Sequence, residues 1–165
     1  MSRLLTVLTL ICIGVLGSSS VMAQDFSIIV VRHAEKAVAE SDPPLSEKGQ
    51  RRAQALAEML SKVQISAIYS TPYKRTEQTV SPLAQQHGLE VKNYRAGDGE
   101  NLAAQLRDAQ QDVLVVGHSN TVPGIVRALD IEVEDLTEQD YGDVFVVQFR
   151  QGKPQLLRLM VPVQE

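Results

Sequence analysis

Apolar residues fall into two rhythms along this chain, and the two alternate. Residues 27–31 (SIIVV), 65–70 (ISAIYS) and 112–116 (DVLVV) are short runs rich in β-branched side chains, the pattern of buried strands. Between them apolar positions recur at helical spacing. Ala53, Leu56, Ala57 and Leu60 follow at i, i+3, i+4 and i+7, which puts them on one helix face, and Ser46 stands where it can cap that helix. A second helix is expected from Pro72, a residue suited to a first helical position, toward Gln86 with Gly88 as its stop. Pro82 inside it should kink or divide it, because proline removes an i to i−4 bond.

Residues 89–94 read as a third, weaker strand, and 95–100 as a loop with two glycines. Helices are expected near 101–109 and from about 120 to 129. The tail, 144–149 and 155–161 around Gly152-Lys153-Pro154, reads as a hairpin. The alternation predicts a single three-layer α/β domain: a mostly parallel sheet flanked by helices, with a C-terminal antiparallel hairpin.

The first 23 residues stand apart from this pattern. Arg3 gives a positive start, 4–16 is an apolar run, and Val21-Met22-Ala23 ends it with small residues at −3 and −1. That is the layout of a secretory signal peptide, with the domain expected over 24–165. The run is short for a membrane anchor, so no stable anchor is expected after cleavage. The layout implies transport across an inner membrane, to a bacterial periplasm. Loss of Arg3 takes the net charge from −4 to −5, and no basic stripe of the kind that tracks nucleic acid is present. The single cysteine, Cys12, lies in the leader, so disulfides, thiolate catalysis and cysteine metal sites are excluded from the domain.

Two of the strand-like runs end on histidines: the first on Arg32-His33, the fourth on Gly117-His118. Arg75 sits in a segment just after the second strand. A parallel sheet carries these C-terminal strand ends to one edge, where open α/β folds place their ligands. The planar guanidinium fork suits phosphate oxygens, and helix starts after Thr71 and Ser119 would add backbone donors. A neutral imidazole can attack phosphorus directly and form a phosphohistidine that water later hydrolyses.

Four segments carry a resemblance: VVRHAEK at 30–36, LSEKGQRRAQALA at 45–57, IYSTPYKRTEQT at 68–79 and VVGHSN at 115–120. In this order they resemble the histidine phosphatase superfamily, also called phosphoglycerate-mutase-like, over most of residues 27–129. The resemblance implies a phosphomonoester hydrolase that needs no metal or other cofactor and takes a small phosphorylated substrate. It makes His33 the phosphorylated nucleophile, and Arg32, Arg75 and His118 the phosphate-binding partners. Ser119 follows the second histidine where the acid-phosphatase branch has Asp, so the small-phosphatase branch is the better match. In that branch a carboxylate after the third strand protonates the leaving group; Glu100 is the candidate, with Asp98 and Glu35 as rivals.

Other features read as structural. His87 looks like a helix C-terminal histidine, Arg51 and Arg52 like a solvated helix face, Lys36 like a solvent-facing cation, and Tyr141-Gly142-Asp143 like a turn. The segment 117–121 imitates a serine-hydrolase elbow, but its last glycine is replaced by Thr121 and no histidine follows Ser119. A non-catalytic phospho-ligand module on the same scaffold, or a phosphomutase, stays open as an alternative.

Overall fold

The computed structural model describes residues 24–38 and 41–163, so the expected leader over 1–23 lies outside the described residues. The first strand, β1 (Phe26–Arg32), is followed by α1 (Glu47–Leu60), β2 (Ala67–Ser70), α2 (Lys74–His87) and β3 (Val91–Asn93). A 3-10 turn (Ala96–Asp98) leads into α3 (Gly99–Ala109), β4 (Val113–Gly117), α4 (Val122–Arg127) and the hairpin β5 (Asp143–Arg150) and β6 (Lys153–Met160). One sheet runs β3-β2-β4-β1-β5-β6. The first four of these strands pair in parallel and the last two antiparallel.

Both faces of the central strands are buried, which is why their sequence reads as continuous apolar runs rather than an alternation. Ile28, Val30, Val113 and Val115 point to one core, with Leu102, Leu106, Ile125 and Val126 of α3 and α4. Ile29, Val31, Leu114 and Val116 point to the other, with Leu56, Leu60, Val80 and Leu83 of α1 and α2. The expected three-layer α/β architecture is therefore the observed one.

Local signals hold where local chemistry decides. Ser46 Oγ caps α1 by accepting from the Gly49 amide at 3.1 Å. Gly88 closes α2 with φ of 64°, a conformation that costs glycine no Cβ clash. Gln151 and Gly152, at φ of 50° and 76°, make the two-residue hairpin turn. Pro82 does not divide α2, which continues through it as one helix from Lys74 to His87. Proline in a helix interior costs about 3 kcal/mol, but Val80 and Leu83 are fully buried on that helix, each worth roughly 1.5–3 kcal/mol. Packing wins. Two other helix boundaries shift: α2 begins at Lys74 rather than Pro72, and α4 spans only Val122–Arg127.

Gly49 lies where α1 passes closest to the segment leaving β1. A Cβ there would stand 2.1 Å from the Glu35 carbonyl oxygen, a backbone atom that cannot swing away. Gly→Ala inside a helix ordinarily stabilises by up to about 1 kcal/mol. At Gly49 the sign should reverse: Gly49→Ala should destabilise by roughly 1–3 kcal/mol, read as a lowered midpoint in urea unfolding.

Candidate active site

The parallel pairing of β1 with β4 sets Arg32 opposite Gly117, so the next residue on each strand is a histidine. The register is continued by the His33 amide, which donates to the Gly117 carbonyl at 2.9 Å. The two imidazoles meet edge to face with ring centroids 5.3 Å apart. Arg75, in the first turn of α2, brings its guanidinium to 3.4 Å from His118 Nδ1. Arg32, His33, Arg75 and His118 thus line one cavity of about 290 Å³, together with Lys36, Tyr73, Ala96, Ser119, Asn120, Thr121 and Glu138. A larger hollow of about 560 Å³ between α1 and α2 is lined by Gln50, Gln54, Gln78 and Gln85, and none of the described residues lining it is ionisable.

Hydrogen bonds fix the tautomer of each histidine. His33 Nδ1 faces the Ala34 carbonyl at 2.8 Å; a carbonyl only accepts, so Nδ1 carries the proton. Nε2 is left as a free lone pair on a ring just 5% exposed. His118 is set the opposite way. Its Nδ1 faces Arg75, which only donates, so Nε2–H donates to Thr71 Oγ1 at 2.9 Å. Thr71 passes the chain to Thr76 Oγ1 at 3.0 Å, and Thr76 donates to the Thr71 or Tyr73 carbonyl.

Burial, and then the Arg32 and Arg75 charges, disfavour a second proton on either ring. His33 is pushed down to about 4 by burial first, with His118, Arg32 and Arg75 adding to it and the Ala34 bond opposing. His118 is likewise pushed down to about 4 by burial, then by Arg75 and Arg32. Both imidazoles are neutral at pH 7.

Arg32 is nearly sealed. Its Nη1 donates to the Thr137 carbonyl at 2.6 Å, its Nη2 to Glu138 Oε1 at 2.9 Å, and the Tyr141 ring lies 3.8 Å from the guanidinium carbon. Tyr141 is therefore more than the turn residue expected from sequence; it is a platform for Arg32. Lys36 is exposed as expected, yet stands on the cavity wall. Arg52 corrects the reading of a solvated helix face. It is largely buried, donates to both carboxylate oxygens of Glu35, and holds the Val161 carbonyl. Burial by itself would raise the Glu35 carboxyl, but the Arg52 guanidinium outweighs it and holds Glu35 below the usual range.

None of the candidate acids is among the described residues lining the cavity; Glu35 is committed to Arg52 and Asp98 accepts from Asn101. Sequence reasoning did not single out Thr71, Tyr73, Thr76 or Glu138. Thr71, Tyr73 and Thr76 sit within the second-strand motif around Arg75, which was the available signal. Glu138 had none, since it lies 106 positions from Arg32.

Known proteins resemble this chain in sequence over part of its length and in fold over most of it. Residues 28–96, which include Arg32, His33 and Arg75, match the model of the histidine phosphatase superfamily (branch 1). Over 71 residues the chain is 41% identical to phosphoserine phosphatase 1 of Hydrogenobacter thermophilus, covering 39% of this chain and 34% of that one. The match therefore spans about a third of that curated relative. The protein histidine phosphatase SixA complexed with tungstate superposes with a TM-score of 0.68 at 22% identity, covering 81% of this chain and 96% of that one. A mycobacterial glucosyl-3-phosphoglycerate phosphatase gives 0.66 at 15% identity, over 83% and 98% of the two chains. At such identities the solved structures share the fold.

Because His33 and His118 are held neutral in the folded state, an unfolded chain binds their protons more readily. Their contribution to stability is complete above the unfolded value of 6.5 and is lost as pH falls toward about 4. Thermal unfolding should show the midpoint dropping across that window. His118→Asn should flatten the drop relative to wild type.

Proposed function

We propose that this chain, which belongs to the histidine phosphatase superfamily, is a phosphomonoester hydrolase working through a phosphohistidine on His33. The observation that carries the reading is the state of His33. Its Nδ1–H is held by the Ala34 carbonyl, which leaves the Nε2 lone pair at the base of a cavity walled by two guanidiniums. A lone pair so oriented is a nucleophile that needs no base to activate it.

In this reading the phosphoryl group lies between Arg32, Arg75 and His118. Nε2 attacks phosphorus in line, the ester P–O bond breaks, and the charge spreading over the equatorial oxygens is met by the guanidiniums. Water then attacks phosphorus from the side the leaving group vacated, and the P–N bond returns its electron pair to Nε2. Product phosphate leaves a neutral His33. The Thr71–Thr76 hydroxyl chain holds the His118 ring in place throughout. The phosphoserine phosphatase named above supports a phosphate monoester as the substrate class.

His33→Ala should abolish turnover, with a loss on the order of a thousandfold or more. Arg75→Ala and His118→Ala should lower kcat/KM by roughly two to four powers of ten. Rapid quench with labelled p-nitrophenyl phosphate should trap acid-labile, base-stable phosphate on the wild type alone. A non-catalytic binding module would bind tungstate yet trap nothing, and near wild-type turnover by His33→Ala would end the reading.

The reaction as proposed uses no metal. Among the described residues no group of three His, Cys, Asp or Glu side chains is placed to hold one, and the phosphate charge is met by arginine instead. Extensive EDTA treatment should leave activity intact and tungstate should inhibit. Loss on chelation, restored by one particular metal ion, is the contrary result.

A further inference from the structure

The phosphohistidine reaction needs a proton for a basic leaving oxygen, and α3 does not bring one into the cavity. Among the described residues that line it, Glu138 is the one carboxylate. We propose that Glu138 protonates the departing alkoxide and then takes the proton from the water that attacks the phosphohistidine. This inference rests on the reading of His33 given above.

Position comes first. His33 sits at the closed end of the cavity, 5% exposed, so in-line attack from its Nε2 sends the leaving oxygen outward. Glu138 stands on the outer wall with its side chain 73% exposed, whereas the Arg32 side chain beneath it is 2% exposed. The segment that carries Glu138 is fixed where it passes over Arg32. The Thr137 carbonyl accepts from Nη1, the Tyr141 ring covers the guanidinium, and the Tyr141 hydroxyl donates to Glu138 Oε2 at 3.2 Å. The Glu138 side chain, mostly exposed, has room to move.

That asymmetry suits exchange. In the free protein Glu138 Oε1 occupies Arg32 Nη2, a donor that an incoming phosphoryl oxygen would claim. The buried guanidinium cannot follow the carboxylate outward, but the carboxylate can step aside toward the leaving group. While paired, Glu138 is held below the usual carboxylate range by the Arg32 charge above all; a phosphoryl anion on Arg32 cancels that charge.

The protons and electrons balance. A phosphomonoester with its second pKa of about 6 can enter as the monoanion and hand its proton to Glu138. His33 Nε2 forms the P–N bond, the ester P–O bond breaks, and the Glu138 proton goes to the leaving oxygen to give an alcohol. Water then forms the new P–O bond, its proton goes to Glu138, and the P–N electron pair returns to Nε2. The sum is ester plus water giving alcohol plus phosphate.

Glu138→Gln keeps the shape and removes the exchangeable proton. The experiment compares it with wild type across phosphate esters from p-nitrophenyl to alkyl, with the acid-labile label on His33 measured in parallel. A general acid matters in proportion to the basicity of the leaving oxygen. The variant should therefore label His33 at close to the wild-type rate with p-nitrophenyl phosphate, and the label should then decay more slowly because the attacking water lacks its base. On alkyl phosphates the rate of labelling should fall roughly 100-fold or more. An equal loss of labelling rate on every ester, or no loss on alkyl esters, overturns the proposal and leaves Glu138 a partner of Arg32 only. The same leaving-group dependence found in Glu100→Gln or Asp42→Asn, and not in Glu138→Gln, also overturns it. Failure of the wild type to label His33 would instead remove the phosphohistidine reading itself.

Discussion

The parallel pairing of β1 with β4 is the constraint on which everything else hangs. Its register places Arg32 beside Gly117 and carries the two histidines out of the sheet as neighbours. A slip of one residue would turn either Ile28 and Val30 or Val113 and Val115 from one core to the other, exchanging the two apolar sets of the strand that slipped. The register is therefore set by burial on two faces at once. The chemistry at the strand ends inherits its precision from that packing, not from the short loops that follow.

A second link ties the site to the end of the chain. Arg52 reaches from α1 to Glu35, just after His33, and to the Val161 carbonyl beyond β6. Gly49 lets α1 come close enough for that reach. One guanidinium thus joins the segment after β1, the first helix and the chain's last described stretch. None of these contacts is close in sequence, yet each bears on where His33 sits.

That distance also explains what could be read in advance. His33 and His118 were legible because each ends an apolar run, and such runs announce a buried strand and its direction. Arg75 was legible from its place just after β2. The helix cap at Ser46 and the stop at Gly88 follow from one residue's chemistry. Pro82 does not divide α2 because its cost is local while the burial of Val80 and Leu83 comes from other elements. Tyr141, Glu138 and Arg52 were opaque for the same reason. Their partners lie 109, 106 and up to 109 positions away, and no periodicity encodes a contact across that separation. Glu100 and Asp98 were put forward from a likeness of loop position; they fall in the 3-10 turn and the first turn of α3, and neither is among the described residues that line the cavity.

The pairing of each site arginine with a carboxylate has a kinetic consequence. Glu138 sits on Arg32, and Asp42 lies 3.7 Å from Arg75. With both imidazoles uncharged, Lys36 is the one charge beyond those two pairs among the described residues that line the cavity. A single ammonium on a chain of net charge −4 is screened within about 8 Å at physiological salt, so it adds little long-range pull on anions. Capture then depends on collision and fit at short range. The rate of encounter should accordingly vary only weakly with ionic strength, and an incoming oxyanion must displace Glu138 before it reaches Arg32.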